Sequence, residues 1–157
     1  MDVDIRLIIF DVDGTLRYTK GDNSRPPFTQ GEWGLLPNVL ERIAEIKELH
    51  PEMEWGLATN QRSIGRGLLS RNKCMSLLDS LCVAVFGKII STTAIQICPH
   101  LEPCQCRKPE PLMLVNIMNY RGVSPENTLF VGDAESDGLA AKRAKCHFAW
   151  ADEWFCR

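Results

Sequence analysis

An apolar run that stops at two carboxylates constrains this chain more than any other feature of its sequence. Residues 5–10 are apolar at five of six positions and rich in β-branched side chains. A short run of this kind, closed by a glycine, predicts a strand buried on both faces of a parallel sheet. Asp11 and Asp13 then lie at and just beyond the carboxyl end of that strand, which is where open α/β sheets bind their ligands.

These two carboxylates predict a magnesium site. Asp11 and Asp13 share parity along an extended backbone, so their side chains are expected to point the same way. They repel each other unless a cation lies between them or one is protonated. The pattern suits Mg²⁺, with one aspartate as nucleophile and the other as proton carrier. An EF-hand is excluded because Leu16 and Asp22 hold the positions where it needs Gly and Glu; a solvated acidic turn is the plain alternative.

Length, charge and cysteine content limit the classes of protein that fit. A chain of 157 residues predicts one domain over residues 1–157. The net charge of −2 gives no basic field for nucleic acid or anionic membrane. We expect no membrane association, since no signal peptide or bilayer-length apolar run is present. No obligate protein partner is evident from the sequence. Seven cysteines, an odd number, favour a reducing cytoplasmic location in which clustered thiols bind metal.

Strands and helices are predicted to alternate along the chain. Residues 16–36 form a loop or small flap, too short for a separate cap domain, which carries the basic residues Arg17, Lys20 and Arg25. The periodicity predicts helices from Pro37 to about His50, within 63–90, from Pro111 to Gly122, and through 139–144, and strands at 53–58, 93–97, 128–131 and 147–150. Residues 83–92 fit either a helix end or a strand. The alternation predicts a three-layer, Rossmann-like α/β fold: a parallel sheet with helices on both faces and no large cap domain.

The strand at 53–58 leads into Thr59 and Asn60, immediately before a predicted helix. A hydroxyl and an amide at this position predict a phosphate-binding corner, and a plain helix cap is the alternative. Arg62 and Arg66 follow on the first helical turns. They are placed either to reach an anionic substrate or to remain solvated.

A second group of chemically distinctive residues lies at 98–106. Cys98, His100, Cys104 and Cys106 bring three thiols and one imidazole within nine residues. Four such ligands with no open position predict a structural Zn²⁺ site. Free or disulfide-bonded thiols are the alternative, which a reducing compartment disfavours. Zinc would order a loop too short and polar to fold by itself.

Basic and acidic residues that follow this loop complete the candidate site. Lys108 supplies a compact charge for a phosphoryl group, while Arg107 can fork onto a second anionic group; an exposed basic pair is the alternative. Asp133 ends the strand at 128–131 and is a candidate oxygen ligand for Mg²⁺. Asp137, four residues later, is placed to orient the lysine or to cap a helix.

Taken together, these segments resemble the four motifs of haloacid dehalogenase superfamily phosphatases, in the same order. The segments are Phe10–Thr15, Thr59–Asn60, Lys108–Pro109 and Gly132–Asp133 with Asp137. The cysteine–histidine loop running into Cys-Arg-Lys-Pro resembles the capless zinc-loop branch, which includes histidinol-phosphate phosphatases and heptose-1,7-bisphosphate 7-phosphatases. The chain departs from that branch in two places: only three residues separate His100 from Cys104, and Ala134 stands where Lys or Arg is frequent.

The resemblance implies roles for individual residues. Asp11 is the expected nucleophile that forms an aspartyl-phosphate, and Asp13 the general acid and then base. Mg²⁺ is expected on Asp11, Asp133 and the backbone carbonyl of Asp13. Thr59 and Lys108 are expected to hold the nonbridging phosphate oxygens.

The expected substrate is a small phosphorylated metabolite, either a sugar phosphate such as heptose bisphosphate or histidinol phosphate. Arg107 is expected to contact the rest of that substrate. A polynucleotide 3′-phosphatase is the alternative, suggested by residues 15–20 and by Glu32-Trp33, with nucleic acid entering only as a 3′-phosphate end. A non-catalytic, zinc-stabilised binding module is a third hypothesis.

Overall fold

The structure is a computed structural model that describes residues 3–157. Over that range the strands are β1 (Leu7–Phe10), β2 (Arg17–Thr19), β3 (Trp33–Leu35), β4 (Glu54–Asn60), β5 (Ile95–Cys98), β6 (Thr128–Gly132) and β7 (His147–Trp150). The helices are α1 (Val39–Leu49), α2 (Arg62–Gly65), α3 (Arg71–Phe86), α4 (Leu112–Arg121), α5 (Glu135–Ala144) and α6 (Ala151–Trp154). Five strands form one parallel sheet in the order β5-β4-β1-β6-β7.

Strand β1 occupies the centre of the sheet and is buried on both faces. Ile8 and Phe10 pack into a core formed with α1, α3 and the segment around α6, while Leu7 and Ile9 pack into a second core formed with α4 and α5. This alternation confirms the predicted three-layer α/β fold, and residues 3–157 include no large cap. Within the same residues, none of the helices is long and apolar enough to cross a membrane.

The flap contains two strands that the sequence pattern did not reveal. Strands β2 and β3 pair antiparallel, with Arg17 opposite Leu35 and Thr19 opposite Trp33. Arg17 and Thr19 face the interior while Tyr18 is only partly buried. An alternation only three residues long, surrounded by turn-forming residues, is too short to be recognised as a strand.

Several element boundaries differ from the prediction. The helix expected within 63–90 is interrupted between α2 and α3, where Gly67 has a φ of +74° and Ser70 caps α3 by accepting a hydrogen bond from the Lys73 N–H. The ambiguous stretch at 83–92 begins as the last turn of α3. Helix α1 starts at Val39 rather than Pro37, because Asn38 adopts a left-handed backbone. Strand β5 starts at residue 95, after a 3₁₀ turn at 92–94.

Aromatic packing anchors the end of β1 that leads to the two aspartates. The Phe10 ring lies 6.1 Å from Trp55, 6.2 Å from Phe86 and 5.5 Å from Trp154, measured between ring centroids. Phe155 stacks on it at 6.1 Å. Phe10 therefore links the central strand to elements on several sides, and its packing fixes where the chain leaves the sheet toward Asp11.

Replacing Phe10 by alanine tests this packing. We expect Phe10→Ala to lower the free energy of unfolding by about 3–5 kcal/mol, because the change leaves a cavity among four aromatic rings. Leu40→Ala is the matched control, since Leu40 is 47% exposed on α1, and its effect should stay within about 0.5 kcal/mol. Urea unfolding followed by tryptophan fluorescence measures both. Equal effects of the two substitutions would contradict the central position of Phe10.

Candidate active site

The carboxyl ends of the parallel strands bring the predicted site residues to one edge of the sheet. A cavity of about 250 Å³ is lined by Asp11, Asp13, Thr59, Asn60, Lys108, Asp133, Ala134, Ser136 and Asp137. Residues from β1, β4 and β6 thus meet the loop that follows β5. Of the residues predicted for catalysis, phosphate binding and magnesium binding, only Arg107 lies outside this cavity, and it lines the adjacent one.

Lys108 lies at the centre of this arrangement. Its Nζ donates hydrogen bonds to Asp11 Oδ1 and to the Ala58 carbonyl, at 2.7 and 2.9 Å, and forms an ion pair with Asp137 Oδ1 at 2.7 Å. Burial disfavours the charged ammonium, but the carboxylates of Asp11 and Asp137 outweigh that effect and raise the pKa of Lys108. Asp137 therefore makes the contact that its predicted orienting role requires.

Asn60 and Thr59 are both engaged in contacts within the site. The Lys108 N–H donates to Asn60 Oδ1 at 3.2 Å, and Asn60 Nδ2 donates to the Lys108 carbonyl at 3.4 Å. Asn60 therefore holds the Lys108 backbone, a contact that the predicted phosphate-binding corner did not include. Thr59 Oγ1 accepts a hydrogen bond from Gln61 Nε2 at 2.9 Å, which leaves the hydroxyl hydrogen free to donate.

Asp11 is buried beside a second carboxylate. Burial, the largest effect, and a hydrogen bond with Asp133 raise the pKa of Asp11 to about 6, although the ammonium of Lys108 opposes the change. Oxygen atoms of Asp11, Asp133 and Asp137 all lie within 4.8 Å of one another. A divalent cation would hold such carboxylates in the ionised form, and an all-oxygen donor set suits Mg²⁺. The residues present therefore fit the expected ion.

Two glycines allow the site to close this tightly. Gly14 has a φ of +84°, and a Cβ at this position would clash with the Asp133 carboxylate. A Cβ on Gly132 would come within 2.5 Å of the Asp137 side chain. Asp137 Oδ2 also accepts hydrogen bonds from the backbone N–H groups of Asp133 and Ala134, both at 3.1 Å. The turn from β6 into α5 is thereby fixed in place.

Asp13 is held by two residues to which the sequence analysis gave no role in the site. Its side chain is 34% exposed. Arg17 Nε donates to Asp13 Oδ1 at 2.7 Å, and Arg17 Nη2 and Gln61 Nε2 donate to Oδ2 at 3.3 and 2.8 Å. The one available sequence signal was the spacing of four residues between Asp13 and Arg17, which is uninformative outside a helix.

The four predicted zinc ligands converge in the loop at 98–106. Cys106 Sγ lies 3.0 Å from Cys98 Sγ and 3.1 Å from His100 Nδ1, and Cys104 Sγ lies 3.5 Å from Cys98 Sγ. Tetrahedral zinc with Zn–S bonds of about 2.3 Å requires sulfur atoms about 3.8 Å apart, so a small expansion of the cluster accommodates the ion. The three thiols and one imidazole thus fit a closed zinc site.

Hydrogen bonding to Cys104 also favours metal binding. Burial, the largest effect, favours the neutral thiol, but a hydrogen bond from the Arg107 N–H at 3.4 Å and contacts with neighbouring thiols lower the pKa of Cys104 to about 6. A thiolate is the form that binds zinc. The same hydrogen bond links the cysteine–histidine loop to Arg107, the residue immediately before Lys108.

Next to the carboxylates lies a larger cavity of about 470 Å³ with a basic wall. Its lining includes the carboxylates of Asp13 and Asp133, flap residues such as Arg25, and a group of three further arginines, Arg62, Arg66 and Arg107. Within residues 3–157, the buried Nη1 of Arg107 has no hydrogen-bond partner. Burial and the positive charge of Arg62 lower the pKa of Arg107. This wall is therefore suited to bind an anion.

The cysteine–histidine loop packs against α2, which begins at Arg62 and is followed directly by Arg66. Gly65 in α2 lies so close to the Pro99 carbonyl that a Cβ would clash, and the same Cβ would meet Leu101 Cγ at 3.1 Å. The loop also runs directly into Arg107. The cysteine–histidine loop thus contacts α2 and also leads into Arg107, so it supports two of the segments that form the basic wall.

Known proteins are similar to this chain in sequence and in fold. Residues 6–157 match the family model described as polynucleotide kinase 3 phosphatase. A D-glycero-beta-D-manno-heptose-1,7-bisphosphate 7-phosphatase from Pseudomonas aeruginosa is 32% identical over 142 residues, covering 89% of this chain and 77% of that protein. The enzyme of the same name from Bordetella bronchiseptica is 32% identical over 148 residues, covering 90% and 78%.

Solved structures agree with these sequence relatives. The D,D-heptose 1,7-bisphosphate phosphatase of B. bronchiseptica, complexed with magnesium and phosphate, matches with a TM-score of 0.74 and 31% identity over 92% of this chain and 79% of that chain. A HAD-like phosphatase from Mesorhizobium loti matches with a TM-score of 0.75 over 92% of this chain and 70% of that chain, and its 24% identity supports the fold alone.

The expected superfamily is confirmed, and the hypothesis of a non-catalytic module is wrong. The chain belongs to the polynucleotide kinase 3 phosphatase family of haloacid dehalogenase-like hydrolases, and it is a phosphatase.

Proposed function

We propose that this phosphatase removes one phosphate from a small phosphorylated sugar that carries a second phosphate, such as heptose 1,7-bisphosphate. The observation that supports this most is the pair of adjoining cavities, one lined by carboxylates and Lys108 and the other by arginines. One phosphate fits the first cavity and the other fits the basic wall. Relatives at 32% identity that are named heptose-1,7-bisphosphate 7-phosphatases agree with this assignment.

In the first step Asp11 attacks the phosphorus. A bond forms between Asp11 and phosphorus while the bond to the leaving sugar oxygen breaks, and Asp13 donates its proton to that oxygen. Lys108 and the free hydroxyl hydrogen of Thr59 are placed to bind nonbridging oxygens. Asp11, Asp133 and the Asp13 carbonyl would hold Mg²⁺, which when bound neutralises charge on the transferring group.

In the second step water hydrolyses the aspartyl-phosphate. Asp13, now ionised, accepts a proton from the attacking water as the new bond to phosphorus forms. The bond between phosphorus and Asp11 breaks, which releases inorganic phosphate and regenerates the carboxylate. Asp13 thus alternates between acid and base, and its place in the lining of both cavities supports this role.

A polynucleotide 3′-phosphatase is the second candidate, favoured by the description of the matching family model. The net charge of −2 provides little attraction for the rest of a polynucleotide. The phosphorylated sugar is therefore the favoured substrate.

Three further expectations remain proposals. We infer that Cys98, His100, Cys104 and Cys106 bind a structural zinc ion, supported by their convergence. We also propose that residues 1–157 form one domain, supported by two cores that share the same sheet. The cytoplasmic location rests on the odd number of cysteines and their expected use in metal binding.

Substitution of the proposed nucleophile tests the mechanism. With Mg²⁺, the wild type should release phosphate from heptose 1,7-bisphosphate faster than from histidinol phosphate or a 3′-phosphorylated oligonucleotide. Asp11→Asn should lower kcat about 1000-fold or more, because no nucleophilic carboxylate remains. Asp4→Asn, at an exposed position, is the control. Turnover that survives Asp11→Asn or excess EDTA would contradict the mechanism, and fastest release from the oligonucleotide would favour the second candidate.

The basic wall is tested by comparing a bisphosphate with a monophosphate. Arg107→Ala should raise KM for heptose 1,7-bisphosphate about 10- to 100-fold, because a charge-assisted contact with the distal phosphate is lost. KM for heptose 7-phosphate should change less than about threefold. Arg6→Ala removes an exposed arginine and should leave both values unchanged. Equal increases of KM for both substrates would argue against a second phosphate at this wall.

Zinc content and thermal stability test the cysteine–histidine loop. The wild type should contain one zinc per chain by elemental analysis, and Cys106→Ser should contain almost none, because a closed four-ligand site loses one thiolate. We expect the Tm to fall by roughly 5–10 °C, as for a loss of a few kcal/mol in a chain of this length. Cys156→Ser, at an exposed cysteine outside the cluster, should change neither quantity. Full zinc content in Cys106→Ser would refute the assignment.

A further inference from the structure

We infer that Arg17 and Gln61 are positioning residues that hold the Asp13 carboxylate in one orientation, with Oδ1 presented to the leaving oxygen. This inference rests on the proposed role of Asp13 as the proton donor. Neither residue lines the two cavities, and both contact the Asp13 carboxylate. The two side chains approach from different parts of the fold, Arg17 from β2 and Gln61 from the end of β4.

The hydrogen bonds to Asp13 leave one acceptor position open. An ionised carboxylate offers about four acceptor positions, two on each oxygen. Arg17 Nη2 and Gln61 Nε2 occupy both positions on Oδ2, while Arg17 Nε occupies one position on Oδ1. The remaining position lies on Oδ1. This oxygen is therefore the one available to carry the transferred proton.

Backbone contacts bring Arg17 beside Asp13. The N–H groups of Leu16 and Arg17 donate to the Val12 carbonyl at 2.9 and 3.2 Å, and the Gly14 N–H donates to the Arg17 carbonyl at 3.0 Å. The tight turn returns the chain so that residues 13 and 17 are neighbours. Gln61 is fixed separately, because its N–H donates to the Cys98 carbonyl at 2.7 Å and its side chain also bonds Thr59.

Stability alone does not explain a guanidinium at this position. The Arg17 side chain is 1% exposed, and within residues 3–157 its buried Nη1 has no hydrogen-bond partner. Burying a charged group costs more free energy than an ion pair usually returns, and an apolar side chain of similar size often serves the interior better. Asp13, in contrast, is partly exposed and free to turn toward solvent without this clamp. The arrangement therefore restrains the carboxylate.

Leaving-group dependence separates positioning of an acid from a general structural role. Proton donation matters most when the leaving oxygen is strongly basic and least when it departs readily as an anion. The experiment measures kcat/KM, which reports the first step, with phenyl, 4-nitrophenyl and 2,4-dinitrophenyl phosphates as substrates. The enzymes are the wild type, Asp13→Asn, Arg17→Met, Arg17→Lys and Gln61→Leu, all with Mg²⁺, and circular dichroism checks that each is folded.

We expect Arg17→Met to lower kcat/KM about 100-fold for phenyl phosphate and less than about threefold for 2,4-dinitrophenyl phosphate, since a misdirected acid loses most of its contribution. Asp13→Asn should show the same pattern with a larger loss of kcat/KM. Arg17→Lys and Gln61→Leu should show it with a smaller loss. Arg121→Met is the matched control, because Arg121 bonds the Trp55 carbonyl at the opposite end of β4. Arg121→Met should leave the dependence of kcat/KM on the leaving group unchanged.

The outcomes distinguish this inference from the function on which it rests. A wild type that releases phosphate neither from these three phosphates nor from heptose 1,7-bisphosphate would overturn the proposed function. If the wild type is active and Asp13→Asn keeps the wild-type dependence of kcat/KM on the leaving group, the role of Asp13 and the clamp formed by Arg17 and Gln61 are both overturned. A shifted dependence in Asp13→Asn, with none in the folded Arg17 and Gln61 variants, would overturn the clamp alone. If Arg17→Met does not fold, Arg17→Lys and Gln61→Leu decide the result.

Discussion

The buried ion pairs of Lys108 hold the site together. Asp11 and Asp137 each lie 2.7 Å from its ammonium, and an oxygen of Asp133 lies within 4.8 Å of oxygens of both carboxylates. Carboxylates this close repel one another strongly, and burial makes their charge still more unfavourable. One ammonium only partly compensates them, which explains the raised pKa of Asp11 and the fit of the same residues to a divalent cation. The charge balance thus links three separate segments of the fold to the proposed metal site and the proposed nucleophile.

The position of Lys108 depends in turn on the loop that precedes it. Lys108 follows Cys106 by two residues, its backbone is held by Asn60, and the Arg107 N–H bonds Cys104. A zinc ion that orders this loop would therefore act on catalysis through geometry, although it lies outside the reacting site. The loop also supports α2 at Gly65. Through these two contacts, a metal ion bound in the loop would influence the positions of Lys108 and α2.

The sequence predicted the parts of the molecule that depend on local pattern. The buried run before Asp11, the end of α4 at Gly122 and the spacing of the cysteine–histidine loop each carry their signal within a few residues, and the structure has β1, α4 and the ligand cluster at these places. The short pairing of β2 with β3 and the clamp on Asp13 were not predicted. Gln61 lies 48 residues from Asp13, and such a contact has no local pattern because tertiary packing alone creates it.

The structure divides substrate selection from chemistry. Because residues 3–157 include no large cap, the walls of the larger cavity come from the flap and from the segments that carry Arg62, Arg66 and Arg107. In the flap, Arg25 is already neutralised by Glu32 at 2.6 Å and lies over the Phe28 ring at 4.2 Å. Its charge is therefore less available to an anion than that of Arg107, whose Nη1 has no partner within the same residues. The flap contributes mainly shape, and Arg62, Arg66 and Arg107 contribute charge. A second phosphate would therefore bind beside these arginines and direct the first toward Asp11.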